Sequence, residues 1–537
     1  MSSENIAEKK LANIEKYKAQ RLLMKQGEAL SSVDYGPVEL FIEPTKHCNI
    51  KCRMCCHPDV FDVARKRKPK GAINLADNYY EQLVPLMDEA VFLYAVGVGE
   101  PLLTPGISDF LLTAASHELT TWINTNGMVL NDKLSQKLAQ APLGRLVFSI
   151  SAGEKELYEK VHEGAKWEKL WEGFEAYQRQ VEKAGFLGDI YVNFVVQNDN
   201  MEELPLLAKR LKKYYVSGIS IKPIADIGGI RTPDIYKKSY IPKDDDQIIE
   251  QTKKILDDSG ITLELDTYTG GCRDDDTRSG ICVHPFRTLF VNVFGDVYPC
   301  CFADIFEPEE LKIGSLENGT TAEEIWYGEK ADKVRQRMLD KDYLDGCKKC
   351  IAGNLNALHN DHHDDVNDFV SQVWKWRSKA MKPQMKESAE TRKNELAKSG
   401  GAPFSLWQNN IRDLWNLNAQ LNRNGDLLVS KGNDPFMITP VLDNNPGDLR
   451  FVILEIETVK KGIHTGQLFW KYSDADNFSE ESSVRFTYGS HTECKKETLY
   501  FDLTFLYGWD KNRQINMLRI DPLESPGTLK INNIQVF

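Results

Sequence analysis

Cys48, Cys52 and Cys55 stand at C-x3-C-x2-C spacing just beyond the apolar run Val38–Ile42. Soft thiolates select iron–sulfur clusters, zinc or cuprous copper over hard cations. Three cysteines in one short loop can hold three irons of a four-iron cubane, leaving the fourth iron open to a non-protein ligand. A closed structural zinc site would want a fourth donor close by, and usually two C-x2-C pairs. Four more thiols, Cys282, Cys300, Cys347 and Cys350, form a second set. Phe286–Val293 reads as a strand, Phe294-Gly295-Asp296 as a tight turn and Val297–Cys300 as the returning strand, so a hairpin brings Cys282 and Cys300 to one end. Cys347-Lys-Lys-Cys350 supplies a second pair after the helical stretch Ala322–Asp340. Four thiolates in two pairs close a site completely, as in structural zinc or a fully ligated four-iron cluster, and spacing alone does not choose between them. Cys56, Cys272 and Cys301 are spare thiols; Cys272 and Cys301 are alternative ligands or buried thiols, and inert burial is the commoner fate of all three. His359, His362 and His363 beside Asp361, Asp364 and Asp365 read as a solvated acidic stretch rather than a metal site.

The elements that must position these groups follow from the pattern of apolar residues. Runs at Val38–Ile42, Val91–Val96, Thr120–Thr125, Leu146–Ser151, Ile190–Val196 and Ile219–Pro223 alternate with helical stretches at 78–90, 107–117, 132–141, 167–184 and 201–215. Such alternation predicts a parallel α/β sheet with right-handed crossovers, whose ligands bind at the carboxyl ends of the strands. Gly97-Val98-Gly99-Glu100-Pro101 follows the second strand, where glycines let backbone approach a ligand and carbonyls accept from an ammonium. The third strand ends in Thr125-Asn126, the fourth in Ser149 and Ser151, and the fifth contains Asn193, all small polar groups suited to hydroxyls and a carboxylate.

With 537 residues the chain predicts two to four domains. Its 41% hydrophobic and 27% charged residues are ordinary for a soluble protein. The net charge of −12 argues against non-specific nucleic-acid binding. No apolar run approaches a membrane span and the N-terminus lacks a signal-peptide core. Eleven cysteines, an odd number in ligand-like spacings, suit a reducing compartment, so the expected location is cytoplasmic.

Cys48-x3-Cys52-x2-Cys55 after a strand, with Glu43-Pro44-Thr45 before it and Asn49 inside it, resembles the signature of the radical S-adenosylmethionine (SAM) enzymes. Cys52 paired with Cys55 keeps the family spacing; Cys52 with Cys56 does not. The resemblance implies a partial (β/α)6 TIM-like barrel over 38–260 and a [4Fe-4S] cluster whose open iron chelates SAM. The segment Gly97–Pro101 is similar to the family's Gly-Gly-Glu-Pro motif, with Val98 departing from it. Gly97, Gly99, Glu100, Pro101, Thr125, Asn126, Ser149, Ser151 and Asn193 are thereby implied as SAM-binding. Gly295-x4-Cys300, Ile313–Leu316, Glu324–Trp326 and the closing C-x2-C resemble the SPASM/twitch extension, implying one auxiliary iron–sulfur cluster on Cys282, Cys300, Cys347 and Cys350 within 261–355.

The flanks are expected to be an N-terminal helical segment (1–37), a charged helical linker (356–402, including a helix at Val370–Lys379) and a C-terminal antiparallel β-sandwich (403–537). Eight strands are expected in the last, at 426–429, 436–439, 451–457, 467–472, 483–488, 498–503, 514–520 and 529–537. It resembles carbohydrate-binding-module-like jelly rolls; Trp470, Tyr472, Tyr507 and Trp509 are candidates to stack on sugar rings, although core packing is the commoner fate of sandwich aromatics. The favoured function is therefore a radical SAM oxidoreductase oxidising or epimerising a carbohydrate or nucleotide-sugar, with the auxiliary cluster as electron acceptor and flavodoxin or ferredoxin as donor. The alternative is a peptide-modifying enzyme, ranked second because no small leader-peptide-binding domain is read before the barrel. A non-catalytic iron–sulfur or glycan-binding assembly protein is the reading of a different class. No catalytic base or hydrogen donor is assigned.

Overall fold

The computed structural model describes residues 3–141, 144–183, 189–222, 246–256, 259, 261–265, 281–300, 309–344, 347, 369, 382–398, 402–407, 415–424, 427–431, 435–439, 442, 449–460, 462–479, 482–490, 494–503, 513–523 and 527–537. It divides into two compact units, one of residues 1–255 and 261–373, the other of 374–537 with 256–260.

In the first unit β1 (Glu39–Ile42), β2 (Phe92–Ala95), β3 (Thr120–Thr125), β4 (Arg145–Ser149), β5 (Asp189–Val195), β6 (Gly218–Lys222) and β7 (Thr262–Leu265) are consecutive parallel neighbours. The first six are the strands that the sequence alternation predicts. Leu146, Val147 and Phe148 of β4 are all buried, so both faces of this strand are covered. The helix Trp167–Lys183 buries Leu170, Trp171, Phe174, Tyr177 and Val181, a stripe at helical spacing that packs on that sheet layer.

The sheet continues on the other side of β1. β8 (Thr288–Val291) pairs parallel with β1, then β9 (Asp296–Tyr298) and β10 (Gly314–Ser315) pair antiparallel. The expected hairpin is present: Gly295 takes φ +79° in its turn, and the Asn292 side chain accepts the N–H groups of Phe294 and Asp296 at 3.0 Å each. Rather than standing apart, the hairpin is welded to the parallel strands through Glu39. Its carboxylate takes the Thr288 hydroxyl at 2.8 Å and the Arg287 guanidinium at 3.0 Å. The predicted helix 322–340 is two helices, Ala322–Trp326 and Glu329–Leu339. Gly328 between them is extended (φ −80°, ψ 158°), which breaks the helical hydrogen-bond ladder. The N-terminal helix Ser3–Gln26 packs on this unit, sending the buried Lys10 ammonium to the Met87 and Ala90 carbonyls. Burial lowers the pKa of that ammonium to about 7.

The second unit holds the helix Lys382–Lys398 and two antiparallel sheets, one containing Leu427–Ser430, Gly527–Val536, Phe451–Thr458 and Lys496–Asp502, the other Met437–Ile438, Ile515–Asp521, Gly462–Tyr472 and Ser483–Ser490. These are the eight expected strands, shifted at their ends by a few residues. Side chains from both sheets, among them Leu454, Ile456, Trp470, Ile520 and Ile534, form one apolar core. Trp470 and Tyr472 belong to that core, 0% and 2% exposed. Of the two fates open to them this is core packing and not sugar stacking: inward-facing aromatics on a two-sheet core bury large apolar area and are withdrawn from any ligand. Tyr507, Trp509, the helix expected at 370–379 and the His359–Asp365 stretch lie outside the described residues. Among the described residues no helix is long and apolar enough to cross a membrane.

Candidate active site at the strand ends

The loop after β1 carries Cys48, Cys52 and Cys55, and each thiol meets an N–H donor. The Asn126 amide nitrogen lies 3.7 Å from Cys48 Sγ, with the same group donating to Asn49 Oδ1 at 2.8 Å. His162 Nδ1 is 3.2 Å from Cys52 Sγ. The backbone N–H of His57, the first residue of helix His57–Arg67, points to Cys55 Sγ at 3.4 Å. The Cys56 thiol, donating to Cys55, and that N–H hold the Cys55 thiol down to about 7 against burial. Burial pushes the Cys48 and Cys52 thiols up. Among the described residues no three His, Cys, Asp or Glu side chains are drawn together to hold a single metal ion. A four-iron cubane does not require that, because it seats each thiolate on a different iron. Three thiols on one loop, each with a donor able to stabilise thiolate charge, fit such a cluster.

The glycine segment is clamped beside this loop. A Cβ on Gly99 would collide with the Thr45 and His47 carbonyl oxygens, and one on Gly97 with the Glu43 side chain. Close approach of two backbones thus requires glycine at 99, and the buried Glu43 side chain leaves no room for a Cβ at 97. The Glu100 N–H donates to the His47 carbonyl at 2.8 Å. Glu43 itself is buried and paired with buried Lys46 at 2.8 Å. Pro101 begins a short 3-10 turn for which Glu100 is the cap.

Glu100 ties β2 to β3. Its carboxylate accepts from Thr125 Oγ1 and the Asn126 N–H, both at 2.7 Å, and from the Leu102 N–H at 3.3 Å. Burial pushes its pKa up to about 7, the three donors opposing. Thr125 and Asn126 are buried within this network, and Asn126 is what connects it to Cys48. Ser149, the last residue of β4, is the register partner of Asn193 within β5, both half-buried. Ser151 is fully buried; its hydroxyl accepts the Val195 N–H at 3.1 Å and its carbonyl accepts from Asn200 at 2.9 Å. In the second thiol set, Cys282 precedes β8, Cys300 follows β9, and Cys282 and Cys347 border the same apolar cluster around Tyr17, Phe286 and Met338. Cys350, Cys301 and Cys272 lie outside the described residues.

Two groups were missed by sequence reasoning. Arg53, inside the thiol motif, donates to Gln197 Oε1 at 2.5 Å and forms a two-point ion pair with Asp199, bracing the loop against the end of β5. Its position between Cys52 and Cys55 was a usable signal. His162 was the other, and it carried no local signal. It reaches Cys52 through a two-residue antiparallel ribbon, Lys51–Cys52 with His162–Glu163, formed across 110 residues of chain.

Comparison with known proteins agrees with this geometry. The radical SAM superfamily model matches residues 42–211, and the model of the SPASM iron-sulfur cluster-binding domain matches residues 282–351. The chain thus carries a radical SAM domain followed by a SPASM-type iron–sulfur cluster-binding domain. Its cofactors are accordingly SAM, a [4Fe-4S] cluster and auxiliary iron–sulfur. It is 22% identical over 335 residues, 58% of this chain and 86% of the relative, to the tungsten-containing aldehyde ferredoxin oxidoreductase cofactor-modifying protein of Pyrococcus furiosus. It is 25% identical over 328 residues, 58% of this chain and 79% of the relative, to the PqqA peptide cyclase of Granulibacter bethesdensis. Among solved structures, Streptococcus suis SuiB bound to precursor peptide SuiA superposes with a TM-score of 0.43 at 17% identity, covering 63% of this chain and 74% of that one.

Proposed function

We propose that this chain is a radical SAM enzyme that abstracts a hydrogen atom from a polypeptide substrate. The observation that carries the substrate class is the similarity to a peptide cyclase along more than half of this chain and most of that relative. It displaces the carbohydrate reading, whose support from Trp470 and Tyr472 is removed by their burial.

In this reading Cys48, Cys52 and Cys55 hold the SAM-binding cluster. The carbonyls of Gly97–Gly99 would accept from the SAM ammonium, with Glu100 and Pro101 fixing that backbone. Thr125, Asn126, Ser149, Ser151 and Asn193 frame the nucleoside and carboxylate end. Cys282, Cys300, Cys347 and Cys350 hold the auxiliary cluster. Loaded with cluster and SAM, the site would supply the radical chemistry for hydrogen abstraction. The protein's part is to fix the substrate C–H bond against the bound SAM, and a flavodoxin- or ferredoxin-type donor delivers the electron.

The test is 5′-deoxyadenosine formation by anaerobically reconstituted, reduced protein offered a peptide panel and a nucleotide-sugar panel. Stimulation by a peptide, with a mass change on that peptide, is expected. Stimulation by sugars alone would overturn the peptide assignment. Persistent cleavage by the Cys48→Ala/Cys52→Ala/Cys55→Ala triple variant would overturn the cluster assignment.

A further inference from the structure

We infer that His162 is a positioning residue that sets the reduction potential of the SAM-binding cluster by donating its Nδ1–H to the Cys52 sulfur. The inference rests on the reading of Cys48, Cys52 and Cys55 as cluster ligands and adds a determinant of how easily that cluster is reduced.

The geometry leaves the imidazole one arrangement. The ring is fully buried and packs against Tyr158 at 4.8 Å between centroids. Its Nε2 lies 3.2 Å from the backbone N–H of Ser151. A backbone N–H only donates, so Nε2 is the unprotonated nitrogen. In a neutral ring the proton then sits on Nδ1, the atom 3.2 Å from Cys52 Sγ. The backbone enforces the same placement: Cys52 and His162 are direct partners in the antiparallel ribbon, and the Arg53 N–H donates to the Val161 carbonyl at 3.0 Å. At 3.2 Å the His162 contact to Cys52 is shorter than the His57 contact to Cys55 and the Asn126 contact to Cys48.

Reduction adds an electron to a cluster whose charge is shared with its thiolates. A fixed donor on one sulfur stabilises the reduced form more than the oxidised form and raises the potential. Ser151 at the end of β4 therefore acts on the cluster through the histidine it orients.

The experiment is a reductive titration of full-length, reconstituted protein followed by electron paramagnetic resonance, using the signal that changes on SAM addition. For His162→Leu the reduced-to-oxidised ratio at fixed poise is expected to fall about tenfold, which is about 59 mV for a one-electron couple. Iron content should be retained, and His162→Gln, which keeps a donor and an acceptor, should recover most of the shift. A ratio unchanged within about twofold in His162→Leu would overturn the inference. If His162→Leu does not load a cluster, the unmodified protein labelled with 15N-histidine decides. Coupling of a histidine nitrogen to the SAM-responsive signal supports the contact; no coupling overturns it. Absence of any SAM-responsive cluster in the unmodified protein would overturn the cluster assignment together with this inference.

Discussion

Glu100 is a residue whose role changes between sequence and structure. In sequence it is part of a ligand-binding motif; in the fold its carboxylate is occupied by Thr125, Asn126 and Leu102, and it acts as a strap between two strand ends. Its pKa is raised to about 7, chiefly by burial, above the carboxylate's ordinary 4.5. A raised carboxyl pKa contributes stability below the unfolded value and loses it as pH rises through the folded one. Urea denaturation should therefore show stability declining between pH 5 and pH 8, with a flatter decline in Glu100→Gln. An equal slope in both proteins would remove Glu100 as the source. The thiol triad could be proposed from sequence because metal chemistry constrains both residue type and spacing. His162 was not, since nothing in Val161-His162-Glu163 distinguishes a sulfur donor from any buried histidine until the ribbon places it opposite Cys52.

Strands and helices were the most readable level, because alternating apolar runs and helical stripes are local signals. Every one of the six predicted parallel strands is present, yet the glycine segment shows what elements hide. Gly97 and Gly99 are required by contact with residues 43–47, more than fifty positions earlier, and only the crossover brings those backbones together. Gly99→Ala should push the cluster loop off its seat. The expected result is a loss of about 1–3 kcal/mol, the usual range for overpacking, and a fall in iron bound at the SAM-responsive cluster. Metal analysis and a denaturation curve check both. Full iron loading with unchanged stability would mean that the two backbones part without cost. The single helix predicted over 322–340 failed for a local reason, since glycine 328 was present in the sequence but its extended conformation was not evident there.

At the scale of the molecule, the two units, one of 1–255 with 261–373 and the other of 374–537 with 256–260, keep separate apolar cores. The fate of the second unit's aromatics was not legible in the sequence, because strand periodicity gives alternation without saying which face is the core. Trp470→Ala should destabilise the second unit by about 3–5 kcal/mol, as for large-to-small changes in a core. A shift of its melting transition measures this; little or no shift would return Trp470 to the surface. The position of β8 has a consequence for the protein's synthesis. One hydrogen-bonding edge of β1 is closed by Thr288–Val291, with 249 residues separating Glu39 from Thr288. At the usual 5–20 residues per second that edge stays open for on the order of ten to fifty seconds on the ribosome. A bare strand edge is a template for intermolecular pairing. Nascent chains released before residue 288 should sediment as aggregates, whereas chains extending past residue 298 should stay in the supernatant; the oxygen-sensitive thiol loop next to that edge waits, unfinished, for the same late arrival.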